Sequence, residues 1–585
     1  MKRYLIAALL LPLLPLRLLW FGFRWLSFWL WRRRTFRPGR SYVLDWSGDV
    51  VETEHERRLE TWLREQFSPG KKSVRLSEVR ALRRSLELRA PSSLLVRIGP
   101  LNAGYARCME LRQELVRMAK TTTVYVHLPH GAEGRELLVA SAGHHVSAPP
   151  TVHLSPVGAA TTAFFFTRLL GRLGLKANVV SRGRYKSATE PFTRTERSEE
   201  DREQATALVR GLDQALIAAL ESRPSLESRD LRALIDGAPY SGTKAAEVQL
   251  IDACLREEEL MPKIAAGLGQ SKLGLHRAEK LERGGKVPRL RLVRPRTTEV
   301  GLVMVDGAIV DRRASGQLTQ AAGSEVIDDL RTALEDDGLG AVVLHINSPG
   351  GSVAASDAIL GAVQRLDREK PVVAFFSDVA ASGGYYIACG ARKIVACEKT
   401  ITGSIGVFHV LPDFSELLER LEINVDTIKL GRNADFASPW NPLSEAQREH
   451  LDREVAEIYD RFVALVATAR QRTPAEIESV AGGRVWLADD ALGVGLVDDL
   501  GGFERAVQLA RELSTTACEE TPRLVRTKRR AQNRLPLPPA PDPTSLIASR
   551  LGPLAPHESR VLRELWLLRE TSRRSAWLYA PILLR

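Results

Sequence analysis

A chain of 585 residues and 64.8 kDa, 44% hydrophobic and 26% charged, has the length for two or three domains with sizeable cores and a globular composition. Its net charge of +12 gathers in Arg32–Arg34, Arg289–Arg296 and Arg523–Arg530. Charge clustered in this way argues against a nucleic-acid reading surface and suits anionic lipid headgroups. There is no zinc finger, Walker loop, Rossmann glycine fingerprint or metal-ligand spacing, and five scattered cysteines imply no disulfide scaffold.

Residues Tyr4–Trp31 are overwhelmingly apolar, interrupted by Pro12, Pro15, Arg17 and Arg24. The stretch is long enough to span a bilayer, and no small-residue cleavage site follows its first apolar block. A retained membrane anchor is therefore expected over residues 1–40. Because two arginines inside a span are costly, an anchor lying in the interface is the alternative. Arg32–Arg34 outweigh Lys2 and Arg3, so the positive-inside rule favours a cytoplasmic globular part.

Two segments, 41–290 and 291–520, then match each other at a spacing of roughly 250 residues. Tyr42–Val51 resembles Leu302–Val310, Val139–His145 resembles Ala380–Tyr386, and Leu173–Phe192 resembles Leu421–Trp440. The repeats close on Leu250-Ile251-Asp252 and Leu496-Val497-Asp498. Short apolar strands alternate with helical stretches in each, which predicts a duplicated α/β domain. In the first repeat, His144 and His145 are adjacent and point to opposite faces of a strand, which argues against a shared metal ion.

The chemistry gathers in the second repeat. Ile346-Asn347-Ser348-Pro349-Gly350-Gly351-Ser352 is a glycine turn directly after the apolar strand Ala341–Leu344, and Val379-Ala380-Ala381-Ser382-Gly383-Gly384-Tyr385-Tyr386 follows about thirty residues later. Either turn alone reads as an ordinary strand-to-helix junction. Together, each after a predicted strand, they supply a nucleophile and backbone N–H groups that could meet an oxyanion at a helix start. A serine nucleophile needs a base. His345 and His409 lie on strands, where a core role is the simpler reading, and the other option is a lysine whose pKa is depressed by burial. The first repeat offers Tyr185-Lys186-Ser187 where the second has Asn433-Ala434-Asp435. It keeps a serine, Ser141, without the double glycine, and has Ile98–Ala103 in place of the glycine turn. A composite site follows, with Ser382 as nucleophile and Lys186 as base.

These motifs, with Thr402-Gly403-Ser404-Ile405-Gly406, resemble over approximately residues 41 to 515 the long, tandem-repeat form of signal peptide peptidase A, a membrane-anchored serine endopeptidase of bacteria. The resemblance implies two ClpP/crotonase-like α/β domains behind an N-terminal membrane anchor. It maps the nucleophile to Ser382, the general base to Lys186, the oxyanion amides to Gly350 and Gly383, and a lysine-orienting hydroxyl to Ser404. The alternative for Ser404 is a turn serine. The resemblance implies neither a metal nor a cofactor. The implied partners are apolar peptides such as remnant signal peptides, membrane lipids and further copies of the chain in a tetramer. The implied place is the bacterial cytoplasmic membrane, with the globular part on the periplasmic side, against the arginine balance. Rival readings are a catalytically inactive oligomeric membrane scaffold and a crotonase-type acyl-CoA enzyme. The tail, 521–585, carries none of the motifs of this resemblance. It carries a proline-rich linker over 535–541, an amphipathic helix near 558–570 and the apolar Trp577–Leu584. Membrane docking and packing against a neighbouring protomer are the two roles open to it.

Overall fold

The computed structural model describes residues 40–53, 73–88, 91, 93–269, 274–277, 297–312, 320–526 and 577–579, together with a few positions between 19 and 30. It divides into two compact units, 1–159 with 212–295, and 160–211 with 296–585. The proline-rich linker and the amphipathic helix expected in the tail lie outside the described residues.

The first unit is built on a seven-stranded parallel sheet containing β1 (Arg40–Val51), β2 (Ser93–Asn102), β3 (Thr123–His127) and β4 (His145–Ala148). A short helix, α1 (Gly134–Ala140), joins β3 to β4. Further on lie β5 (Lys176–Arg182) and α2 (Glu199–Glu221). β5 belongs to the first repeat by sequence, yet it is part of the second unit.

The second unit repeats the plan. Its eight-stranded sheet contains β6 (Glu299–Asp306), β8 (Leu339–Ser348), β10 (Val372–Ala381), β11 (Lys393–Ala396) and β12 (Ile401–Gly403), all parallel to their neighbours in this group. The near-continuous apolar runs of β8 and β10 are those of strands buried on both faces, and Val342, Val343, Leu344, Val373, Ala374 and Phe375 have no exposed surface. Helices α3 (Gly323–Glu335) and α4 (Val353–Glu369) cover one face. Their apolar positions recur at helical spacing, and Val326, Leu330, Ile359, Val363 and Leu366 share one core with Val303, Val342, Leu344 and Phe376.

A second, six-stranded sheet in this unit carries β7 (Ala308–Val310), β9 (Gly350–Ser352), β13 (Val407–Asp413), β5 and, in the tail, β15 (Trp577–Tyr579); β14 (Val485–Leu487) sits on the edge of the larger sheet beside β12. β5 pairs antiparallel with β13 in unbroken register from Lys176↔Asp413 to Arg182↔Val407. The lysine-bearing segment of the first repeat is thereby fixed to the second unit.

Among the described residues no helix is long and apolar enough to cross a membrane. The described positions between 19 and 30 are helical. The expected membrane anchor is corrected accordingly. The expected bacterial membrane location, periplasmic placement and lipid partners are corrected with it, since no described helix supplies the anchor.

Candidate active site

Ser382 stands at the junction between β10 and α5 (Gly383–Ala388), with φ 54° and ψ −116°. A positive φ is uncommon for a residue with a Cβ and costs about 1–3 kcal/mol, held in place by the surrounding packing. Here the Ser382 N–H donates to the Gly403 carbonyl at 2.8 Å, which pins the junction to β12. The glycine that follows is required by contact. A Cβ on Gly383 would meet Ser356 Oγ at 2.7 Å and the Gly350 Cα and Gly351 N at 3.2 Å. The two glycine segments therefore touch, as their order in the chain suggested. No hydrogen bond from the Gly383 N–H is found among the described residues, whereas the Gly350 N–H donates to Ser348 Oγ at 3.2 Å.

Lys186 reaches this junction from the end of β5. Its Nζ lies 2.8 Å from Ser382 Oγ, 2.9 Å from Ser404 Oγ and 3.1 Å from the Ser404 carbonyl oxygen. Lys186 is 5% exposed, Ser404 2% and Ser382 not at all. Burial pushes the lysine pKa well below its ordinary value, because an ammonium loses its hydration there. The neutral amine has two N–H donors and one lone pair. Three neighbours suit that inventory: Ser404 O and Oγ accept, and the lone pair faces the Ser382 hydroxyl.

The lysine is held by residues that sequence reasoning did not single out. Gln204, buried on the second turn of α2, donates to the Tyr185 carbonyl at 3.1 Å and to Ser187 Oγ at 3.0 Å. Its carbonyl oxygen accepts from the Val485 N–H at 3.1 Å, so one amide ties the lysine segment to β14. α2 is preceded by Ser198, whose Oγ accepts from the Asp201 N–H at 3.0 Å, and three acidic residues fill its first turn. Tyr185 N–H donates to the Gly482 carbonyl at 2.8 Å, and its hydroxyl donates to Glu203 at 2.8 Å, a carboxylate also paired with Arg484. Gly483, at φ +79°, lies so close that a Cβ there would meet Lys186 N and Cβ at 2.7 Å. The signal for these contacts is spread over three distant segments, and no local motif carries it.

The histidines take other places. His345 packs against Phe375 and Phe503, with ring centroids 5.4 and 6.3 Å away. His409 pairs with Val180 inside the β5–β13 ladder. Ser141 also departs from the expected match with Ser382, because it follows α1, whereas Ser382 precedes α5. With Ala140 set against Ala388, and β4 against β11, Gly134 stands at the place of Ser382 and Ser141 at that of Cys389. The Ser141 hydroxyl donates to the Leu138 carbonyl at 2.8 Å and accepts from Arg112 Nε at 2.9 Å.

A buried serine beside an amine, at the mouth of a glycine-built junction in an α/β sheet, is an arrangement that suits serine hydrolase chemistry. The pattern of peptidase family S49 matches residues 119–271 and again 364–516, and that of Clp protease matches 306–400. The chain belongs to peptidase family S49, in tandem, and is a serine-type peptidase. It is 27% identical over 494 residues to the serine protease SPPA, chloroplastic, of Arabidopsis thaliana, covering 82% of this chain and 72% of the relative. It is 32% identical over 391 residues to Protease 4 of Salmonella typhi, covering 64% of this chain and 61% of the relative. A putative signal peptide peptidase SppA of Enterococcus faecium is 35% identical over 206 residues, covering 35% of this chain and 60% of the relative. The chain thus spans under two thirds of the length of the Salmonella and Enterococcus proteins. These matches fix the family and the duplication, and they correct the reading as a membrane-anchored signal peptide peptidase A, since no helix among the described residues supplies the anchor.

Proposed function

We propose that this protein is an endopeptidase that works through a Ser382–Lys186 dyad on peptides with apolar segments, signal-peptide remnants among them. The observation that carries the reading is the 2.8 Å approach of a buried Lys186 Nζ to Ser382 Oγ. Neutral Lys186 takes the Ser382 proton as the oxygen attacks a peptide carbonyl. The resulting ammonium has three N–H groups, and Ser404 O and Oγ accept two of them. The Gly383 N–H is the first oxyanion donor, and Gly350 brings the second strand against it. Collapse of the tetrahedral intermediate breaks the C–N bond, and Lys186 returns its proton to the leaving amine. Water, deprotonated by the same lysine, then releases the acyl group. The apolar substrate class is drawn from the signal peptide peptidase of Enterococcus that the chain resembles, since signal-peptide cores are continuous apolar runs.

The test is hydrolysis of an apolar fluorogenic peptide across pH 6 to 10 by the wild type and by Lys186→Ala. Only the neutral amine is a base, so the wild-type rate rises with pH, with a midpoint well under the ordinary lysine value of 10.5. The reading fails if Lys186→Ala keeps both the rate and the pH rise.

A further inference from the structure

Lys186 and Ser404 lie on segments far apart in the chain, and the amine serves Ser382 only while the two stay in register. One short turn touches both. In Ala481–Arg484, which leads into β14, the Gly482 carbonyl accepts from the Tyr185 N–H at 2.8 Å. The Gly483 N–H donates to the Ile405 carbonyl at 2.7 Å, and the Arg484 carbonyl accepts from the Ser404 N–H at 2.7 Å. The packing is tight on both sides. A Cβ on Gly183 would meet the Gly482 carbonyl oxygen at 2.7 Å, and one on Gly403 would meet the Arg484 carbonyl oxygen at 2.8 Å. A shift of this turn therefore moves the base and its partner together.

The Arg484 side chain secures the turn. Its guanidinium lies over two rings, with Cζ 5.0 Å from the centroid of Tyr185 and 4.4 Å from that of Trp486. Trp486 is itself fixed, opposite Thr402 in the β12–β14 pairing, and its Nε1–H donates to the Val480 carbonyl at 3.0 Å. Arg484 Nη1 also pairs with Glu203 at 2.8 Å. Exposed ion pairs contribute little, and the Glu203 side chain is 52% exposed, so the ring contacts are the stronger hold. A flat, delocalised cation fits such a place, whereas a lysine ammonium is a compact point charge on a flexible stem.

We propose that Arg484 is a positioning residue for the dyad: stacked on Tyr185 and Trp486, it holds the 481–484 turn that sets Lys186 and Ser404 against Ser382. It touches no reacting atom. Without its side chain Tyr185 loosens and water reaches the neighbouring amine, so the rate and the protonation of Lys186 both respond. This role rests on the Ser382–Lys186 reading.

The experiment is labelling of Ser382 in the full chain by a fluorophosphonate, followed from pH 6 to 10. The serine oxygen forms the bond to phosphorus, fluoride leaves, and the serine proton passes to Lys186, so the rate reports the dyad with no peptide to bind. The final stoichiometry counts folded sites, so a variant that folds poorly loses amplitude and keeps its rate constant. Arg484→Ala is expected to slow labelling per folded site by about 10- to 100-fold and to move the midpoint of the pH rise upward, towards the ordinary lysine value. In peptide hydrolysis the same loss falls on kcat at unchanged KM. Arg484→Lys, which keeps a cation for Glu203 and loses the plane, is expected to melt with the wild type and to react like Arg484→Ala. A wild-type rate constant and midpoint in Arg484→Ala overturn the role, whatever the amplitude. Full recovery in Arg484→Lys also overturns it, because only the ion pair would then matter. Lys186→Ala separates this role from the dyad itself. If that variant labels like the wild type with the same pH rise, the dyad reading fails. If it is silent while Arg484→Ala is unaffected, the dyad stands and Arg484 has no part in it.

Discussion

The helix-start junction occurs twice in this chain, and the two copies differ in what fills them. In the first repeat the place of Gly384 is taken by Glu136, whose carboxylate accepts from the Leu101 N–H at 2.7 Å and the Glu133 N–H at 3.0 Å. A carboxylate thus fills this junction and satisfies two neighbouring backbone amides. In the second repeat a Cβ on Gly384 would strike the Ser348 carbonyl at 2.7 Å, so no side chain fits and the amide of Gly383 stays without an acceptor among the described residues. The first junction is filled by a carboxylate and has Gly134 at the place of Ser382; the second has glycine in that space and Ser382 beside it. The lesson is that the same α/β frame carries different chemistry according to the side chains placed at one helix start.

The sharpest way to break that contrast is to remove each serine in turn. Ser382→Ala is expected to lower kcat by at least about a thousandfold, while Ser141→Ala leaves peptide hydrolysis unchanged, read in the same fluorogenic assay. A loss in the Ser141 variant would show that the first repeat takes part in chemistry. Gln204→Ala comes next. Its amide only positions Lys186, so kcat should fall by roughly 10- to 100-fold at unchanged KM, and Gln204→Asn should not restore it, because the shorter side chain cannot span from Tyr185 to Val485. A Gln204 effect confined to KM or to the melting temperature would reduce it to a packing residue. The smallest effect is expected from Glu136→Ala, which leaves the Leu101 and Glu133 amides unsatisfied. It should destabilise the first unit by about 1–3 kcal/mol in urea titration and leave kcat alone.

Much of this was legible in the sequence. The apolar strands, the two glycine segments and the duplication are local or periodic features, and the chain writes them openly. Ser382 and Lys186 stood out because each sits in a motif the other repeat lacks. The match of Ser141 to Ser382 failed because a short string of small residues fits either end of a helix, and only the helix boundaries of α1 and α5 fix the register. β5 was hidden for a different reason. Its partner is β13, which follows it by more than 220 residues, and pairing at that separation leaves no local trace. Gln204 had none either, being one polar residue among many on a charged helix.

The backbone at Ser382 carries one further consequence. Ser382 and Ser404 both sit at φ 54°, a conformation that glycine adopts freely and serine resists. Ser382→Gly removes the hydroxyl and this strain together, so the dead variant should outlast the working protein on heating. A melting curve then becomes a way to ask whether the site is assembled in any preparation, with no substrate in hand.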